Sequence, residues 1–284
     1  MKTRIISAAV FGILLIPVFL FSDSYALVLL AQIITVGATF ELLRATKLGN
    51  RLALSIPILA VAAALPPLTR ISYDFLGVIN AQGGVGFFQN VTVTFFGLIM
   101  LCMFACVLTV EKTDLGKLSL VLTLCFYITI GASSLVLLRD LEGWGQYIFI
   151  LAFIAPWTTD TGAQLCGMAL GKRKLIPHIS PNKTVAGAVG GVIVGTLAFV
   201  IFGLVIELTT DALANYHFLA IAGAVLSVVV IMGDLLASMV KRHFGIKDFS
   251  NIMPGHGGIF DRFDSMIAAA PVLLMLAGWM PLFY

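Results

Sequence analysis

The sequence predicts an all-α, polytopic integral membrane protein with about nine transmembrane helices, the N-terminus cytoplasmic and the C-terminus outside. Three observations carry that prediction. Hydrophobic residues make up 60% of the 284 and charged residues 11%, against roughly a quarter charged in soluble domains; mean hydropathy is +1.06. Apolar stretches long enough to cross a bilayer, about 17 to 25 residues, recur along the whole chain. The basic residues, finally, collect on alternate connections between those stretches.

The stretches run over 5–22, 25–43, 52–69, 92–110, 118–138, 146–170, 185–206, 216–240 and 262–283. Lys2 and Arg4 precede the first, and Ser24-x-Ala26 after it would also pass as a small-residue cleavage site, so a removable leader is the alternative reading there. Arg44, Lys47 and Arg51 follow the second. The segment 70–91, Gly-rich and partly apolar, is expected to lie on the outer surface. The fourth and seventh stretches are the most uniformly apolar. Lys112 and Lys117 lead into the fifth, Lys172, Arg173, Lys174 and Lys183 into the seventh, and Lys241, Arg242, Lys247 and Arg262 into the ninth. With the N-terminus inside, all of the 17 Lys and Arg except Arg70 and Arg139 fall on the cytoplasmic side, the asymmetry expected of a correct topology. The net charge of +3 reflects this loop bias and not nucleic-acid binding. Cys102, Cys106, Cys125 and Cys166 all fall inside predicted helices with no His or further Cys to complete a metal site, and read as packing residues.

No internal repeat is evident, which speaks against an inverted-repeat transporter. The chain reads as one membrane domain, 1–284, with scaffold helices over 1–145 and a catalytic half over 146–284. From Pro156 onward ionisable and Gly residues enter the helices themselves.

The acidic residues sort the same way. Asp23, Asp74, Asp140, Glu142, Glu207 and Asp211 fall in outer loops or at helix ends; Glu41, Glu111 and Asp114 sit near inner helix ends. That leaves Asp160, Asp234, Asp248, Asp261 and Asp264. A carboxylate within an apolar helix costs about 3 kcal/mol or more and is a functional hypothesis by default. Ser238, Lys241 and Arg242 follow Asp234 at offsets of 4, 7 and 8, along one helical face. Such a face lines a polar cavity open to the cytoplasm, or else pairs Asp234 with Lys241 for structure alone. Asp261 and Asp264 stand three apart at the start of the last helix, and two carboxylates so placed repel unless a cation lies between them. Mg²⁺ is the expected ion, held by one or two carboxylates plus substrate phosphates; Mn²⁺ or a second cation is compatible, and helix capping is the alternative. Asp160 and Asp248 are weaker metal candidates.

Cations and glycines complete the pattern. Lys172, Arg173, Lys174 and Lys183 can bind a triphosphate or the anionic lipid surface. Gly187, Gly191 and Gly195 recur at four-residue spacing, which lets a neighbouring helix approach closely. Gly255, Gly257 and Gly258 permit positive φ and could present backbone N–H groups to phosphate, and His256 among them could bind phosphate or relay a proton. The whole run SMVKRHFGIKDFSNIMPGHGGIFDRFD, Ser238 to Asp264, mixes carboxylates and cations around a Gly- and Pro-broken turn. That mixture suits a site holding a phosphorylated ligand through metal ions.

The run resembles the C-terminal signature of the CDP-diacylglycerol synthases (phosphatidate cytidylyltransferases): Ser238, Val240, Lys241-Arg242, Lys247-Asp248, Pro254, His256-Gly257-Gly258, Ile259, Asp261-Arg262, Phe263 and Asp264, with Met253 where Leu, Ile or Phe is commoner. Upstream, the Asp160 segment resembles the family's Asp-Ser/Thr-Gly-Ala block, with Gln164 in place of an aromatic residue. Ser180-Pro181-Asn182-Lys183-Thr184 resembles its Ser-Pro-x-Lys-Thr loop, followed by Val185-Ala186-Gly187 where Trp-Glu-Gly is common. The resemblance implies transfer of the cytidylyl group of CTP to phosphatidate, giving CDP-diacylglycerol and pyrophosphate, at the cytoplasmic face of a bacterial inner membrane. It implies Asp234, Asp261 and Asp264 as metal ligands, and Lys241 and Arg242 acting on phosphate. Ser180, Lys183, Thr184, Ser238, Lys247, His256, Gly257, Gly258 and Arg262 then become substrate-binding residues. CTP, phosphatidate and membrane lipids are the expected partners; nucleic acid is not one, and a second copy of the chain is a candidate. Another metal-dependent membrane phospho- or nucleotidyltransferase and a cation-coupled transporter are the alternatives.

Overall fold

The computed structural model describes residues 12–13, 15–22, 25–76, 97–98, 100–102, 114–252 and 257–284, and is mostly helical. Seven long helices are described: α1 (Ala26–Ala45), α2 (Leu52–Leu76), α3 (Leu115–Arg139), α4 (Gly145–Leu170), α5 (Val185–Thr209), α6 (Tyr216–His243) and α7 (Ile259–Trp279). Six of them match the expected stretches closely; α2 runs to Leu76, seven residues past the expected end at 69, so the start of the segment 70–91 expected on the outer surface is helix, and its remainder, 77–91, lies outside the described residues. The expected span at 5–22 is described at 12–13 and 15–22 and is helical there through position 20, whereas that at 92–110 lies largely outside the described residues, as do Cys106 and the turn residues Met253 to His256.

Among the described residues five helices are long and apolar enough to cross a membrane: Ala26–Ala45, Leu52–Ile71, Leu115–Arg139, Val185–Thr209 and Tyr216–His243. α4 and α7 have the length but are diluted by polar side chains. Thr158, Thr159, Asp160, Thr161 and Gln164 interrupt the one, and Asp261, Arg262 and Asp264 open the other. α5 shows what solvent the helices face. Val189, Ile193, Leu197, Ile201 and Leu208 are exposed along one side, while Gly187, Gly191 and Gly195 are buried on the other. Large apolar side chains outward and glycines inward is the arrangement of a helix bundle in lipid, where close backbone packing replaces the hydrophobic effect between helices. The chain is an integral membrane protein.

One departure from an all-helical chain is the basic connection between α4 and α5. There β1 (Lys174–Ile176) and β2 (Ser180–Thr184) pair antiparallel, Ile176 opposite Ser180 and Lys174 opposite Thr184. Pro177, with its fixed φ, opens the turn at 177–179, and the Val185 N–H closes the hairpin by donating to the Arg173 carbonyl at 3.0 Å.

The chain forms two compact units, Met1–Leu137 with Asp248–Arg262, and Leu138–Lys247 with Phe263–Tyr284. In the first, Ile34, Leu42, Ile58 and Ile128 are fully buried. The Gln32 amide donates to the Ala63 carbonyl at 2.9 Å, tying α1 to α2, and Thr39 Oγ1 lies 3.9 Å from Cys125 Sγ on α3. In the second, Phe149, Phe199, Leu219, Leu226 and Val230 form the core. Thr159 Oγ1 donates to Ser227 Oγ at 3.0 Å, joining α4 to α6. A Cβ on Gly195 would collide with Ser227 Oγ, so the glycine admits this contact. The chain end returns to the α5–α6 connection through paired Leu213 and Tyr284 backbone bonds of 3.0 and 2.9 Å.

Candidate functional site

Within the second unit the site grows from the hairpin. Thr184 is the N-cap of α5, its hydroxyl accepting from the Gly187 N–H at 3.1 Å. Its neighbour on α4 is Gly167, where a Cβ would stand 3.1 Å from Thr184 Oγ1. A capping Ser or Thr satisfies one of the four orphan N–H groups of a helix, so Thr184, expected to bind substrate, has a structural duty. With Thr184 fixed, Lys183 points to α6. Its ammonium pairs with the Asp234 carboxylate and also donates to the Ile231 carbonyl at 3.4 Å. The sequence offered Lys241 as the internal partner of Asp234; the ion pair joins Lys183 instead. Both side chains remain partly open, Lys183 23% and Asp234 30% exposed.

Beside this pair lies a cavity of about 390 Å³, lined among others by Asp160, Gln164, Lys174, Lys183, Thr184 and Gly187. The one-face placement of Asp160 and Gln164 is thus realised, and the hairpin adds Lys174 and Lys183 to the same space. The cavity holds the charges a phosphorylated ligand needs, with apolar wall from Met168, Leu175 and Ile231.

α7 meets α6 one residue before Asp234. A Cβ on Gly233 would stand 2.7 Å from Ala268 Cβ and 3.2 Å from the Asp264 carbonyl, so only glycine lets the two backbones approach there. Asp264 is 7% exposed. It accepts from the Ser265 N–H at 2.6 Å and from Ser265 Oγ at 3.1 Å, and it feels the opposing fields of Asp234 and Lys241. The partly open Asp234 and the buried Asp264, of like charge, form a hard, all-oxygen donor set. Among the described residues no group of three or more His, Cys, Asp or Glu side chains is gathered for a metal. A pair of carboxylates completed by ligand oxygens is how proteins usually hold Mg²⁺, so these residues fit such an ion. Ser238 is half-buried on the same helix, whereas Arg242 is exposed and donates to the Ile246 carbonyl at 3.4 Å. Ser180 lies in β2 opposite Ile176.

The first unit contains the other part of the charged run. Asp248 and Arg262 are exposed there, and Lys247, the last residue of the second unit before it, is exposed as well. Gly257 has φ +85°, left-handed backbone that glycine adopts without strain. A Cβ there would stand 3.0 Å from Asp261 Oδ2 and 3.4 Å from Asp248 Oδ1, so both carboxylates face this glycine. Asp261 Oδ2 accepts from the N–H groups of Phe249 and Gly258, each at 2.9 Å. This is the capping arrangement that the sequence offered as the alternative to metal. The two aspartates expected to act as one pair thus have different partners: Asp261 binds backbone amides, and Asp264 faces Asp234 and Lys241.

One residue of this segment's surroundings escaped the sequence analysis. Glu41, on α1, is 1% exposed. Its Oε1 accepts from Ser250 Oγ at 2.5 Å and the Ile259 N–H at 2.8 Å, and its Oε2 from the Phe260 N–H at 2.9 Å. The signal available in sequence was its place inside an apolar run, four residues after Gly37.

Comparison with known proteins gives one consistent result. A model of the cytidylyltransferase family matches residues 2–279. A phosphatidate cytidylyltransferase of Bacillus subtilis (strain 168) is 34% identical over 284 residues, 97% of each chain. One of Staphylococcus epidermidis is 32% identical over 278 residues, 97% of this chain and 98% of its own. One of Staphylococcus saprophyticus is 45% identical over 139 residues, 49% of this chain and 52% of its own.

Proposed function

The chain belongs to the cytidylyltransferase family, and from that membership we propose that it transfers the cytidylyl group of CTP to phosphatidate, releasing pyrophosphate and CDP-diacylglycerol. The observation that carries the reading at the level of residues is the Lys183–Asp234 pair beside a cavity to which Asp160, Lys174 and Lys183 bring charge, with the buried Asp264 brought close to it where Gly233 meets α7. That set has what a triphosphate and a phosphomonoester together require.

An oxygen of the lipid phosphate attacks the α-phosphorus of CTP, the new P–O bond forms, and the bond to the β-phosphate oxygen breaks. Pyrophosphate leaves with the electron pair. No strong base is needed, because a phosphomonoester is largely ionised near pH 7. Lys183 and Lys174 hold phosphate oxygens in the cavity, and Lys241 balances charge beside Asp264. The work is positioning and electrostatic stabilisation. Enzymes of this family generally use a divalent cation. We assign it as Mg²⁺, held by Asp234 and Asp264, where it would neutralise charge on the nucleotide phosphates. Asp248 is the weaker metal candidate. For Asp261 the three-residue spacing to Asp264 favours a cation, and its bonds from the Phe249 and Gly258 amides favour support of the backbone. Substitution separates the two.

The proposed topology has nine spans, N-terminus inside, with the reacting groups at the cytoplasmic face of a bacterial inner membrane. The charge asymmetry of the loops supports it. Phosphatidate then enters sideways from the inner leaflet, and CTP arrives from water.

The test is CTP- and Mg²⁺-dependent formation of CDP-diacylglycerol by detergent-purified protein, beside Asp264→Asn and Asp261→Asn. Product from wild type and none from folded Asp264→Asn is the expected result. Activity surviving Asp261→Asn would return that residue to capping alone. Wild type that makes no product across lipids, salts and metals would overturn the assignment.

A further inference from the structure

The carboxylate of Glu41 carries an inference of its own. α7 begins at Ile259, and the first four N–H groups of any helix have no partner within it. Here two carboxylates divide the task. Asp261, from the helix's own first turn, takes the Gly258 N–H; Glu41 takes those of Ile259 and Phe260, 218 and 219 residues away in sequence. Ser250, in the middle of the charged run, adds its hydroxyl to the same carboxylate. Glu41 is thus at once a cap for the helix and an anchor for the loop before it.

The surroundings are shaped for this contact. A Cβ on Gly258 would stand 2.5 to 2.7 Å from the Glu41 carboxylate. One turn back along α1, a Cβ on Gly37 would collide with the Ile259 side chain. Gly37 thus makes room for the first side chain of α7, and Glu41 receives its first amides, at the i, i+4 spacing that aligns them on one face of α1. An ordinary cap comes from a neighbouring residue and costs the chain nothing beyond a polar side chain. A buried carboxylate brought from a distant helix is a stronger constraint, because its charge is uncompensated unless the donors sit in place.

We propose that Glu41 is a positioning residue for the transfer reaction: by holding Ser250 and the amides of Ile259 and Phe260, it fixes the two short segments that carry Asp248, Asp261 and Arg262. The inference rests on the transfer reaction given under Proposed function and on the family resemblance that makes Arg262 a substrate-binding residue and Asp261 a metal ligand. Glu41 does not touch substrate; it sets where the residues on either side of its contacts stand. Misplacement by about 1 Å at a reacting centre can cost about 100-fold in rate.

The experiment compares wild type with Glu41→Ala, Glu41→Gln and Ser250→Ala. It reads kcat and KM for CTP well below each melting temperature, and hydrogen exchange of the peptide covering 257–260. Glu41→Ala is expected to lower kcat about 100-fold with KM changed less than about threefold, and to speed exchange at Ile259 and Phe260. Glu41→Gln, which keeps one acceptor oxygen, should recover about tenfold of the lost rate, and Ser250→Ala should lose only a few-fold. A folded Glu41→Ala with kcat within about twofold of wild type overturns the proposal, as does faster exchange without loss of rate. If Glu41→Ala does not fold, unchanged kcat in both Glu41→Gln and Ser250→Ala overturns it equally. Wild type lacking cytidylyl transfer overturns the assigned function and this role with it. Exchange at 259–260 would still report the clamp, so the two failures are distinguishable.

Discussion

Glu41 and Asp234 are both carboxylates on long apolar helices, yet their surroundings could hardly differ more. Glu41 is 1% exposed, and both its oxygens are engaged by a hydroxyl and two backbone N–H groups. Asp234 is 30% exposed, pairs with a single lysine that is itself partly open, and stands beside a cavity. The first environment fixes a charge with donors that cannot leave. The second leaves a charge beside a cation that can exchange its partner for a phosphate. Burial alone therefore does not mark a carboxylate for the proposed transfer; the exposure of its counter-group is the better guide.

Substitutions can break or sharpen that contrast. The largest effect is expected at the open carboxylate: Asp234→Asn should lower kcat about 100- to 1,000-fold while leaving the melting temperature close to wild type, as read by turnover and thermal unfolding side by side. A stability loss as large as that of a Glu41 variant would erase the distinction. Gly258→Ala tests the closed carboxylate from its other side. The new Cβ would press on the Glu41 carboxylate, and overpacking of this kind costs about 1–3 kcal/mol, measured as a lower denaturation midpoint in detergent. Thr184→Ala, which removes the cap of α5 beside Lys183, should cost about 1 kcal/mol, with Thr184→Ser close to wild type. Near-identical loss in both would show that the threonine methyl, packed near Gly171, and not the hydroxyl, matters there.

The smallest effect belongs to Asp114, a carboxylate with neither burial nor a cavity. Its hydrogen bond from the Lys117 N–H, at 3.2 Å, holds its carboxyl below the usual carboxylate range, with the Lys117 ammonium adding to the effect. A pKa lower in the folded state than in the unfolded one contributes stability above the unfolded value, and the contribution is lost as pH falls through the folded value. Melting measured from about pH 6 down to about pH 3 should therefore fall slightly less in Asp114→Ala than in wild type.

Much of this was legible in sequence, and what was not has a common cause. Helices α1 to α7 follow from runs of apolar residues, because span length and hydropathy are local quantities. The inward glycines of α5 follow from their spacing. The hairpin at 174–184 does not, since two strands of three and five residues carry too little periodicity to announce themselves. The site shows the same division. Residues grouped by helical spacing, Asp160 with Gln164, do share a cavity. Contacts between distant segments stayed hidden: the partner of Asp234 is Lys183 and not Lys241 on its own helix. Asp261 and Asp264, adjacent by spacing, turn to different neighbours. Glu41 was grouped with Glu111 and Asp114 near inner helix ends because its three donors lie more than 200 residues further along.

That separation has a consequence for how the protein is made. Ser250 lies 209 residues after Glu41, and ribosomes add about 5–20 residues per second. For roughly 10 to 40 s of synthesis, α1 is complete and its carboxylate has none of these three donors to receive. During that interval water or a proton must satisfy it, and the helix end that bears it must stay accessible to both. Only when nearly the whole chain has emerged can the last helix dock and exclude them. Closure of this contact is therefore a late step of biogenesis, and a chain cut short before Ser250 would keep an open charge where the finished protein has a sealed joint.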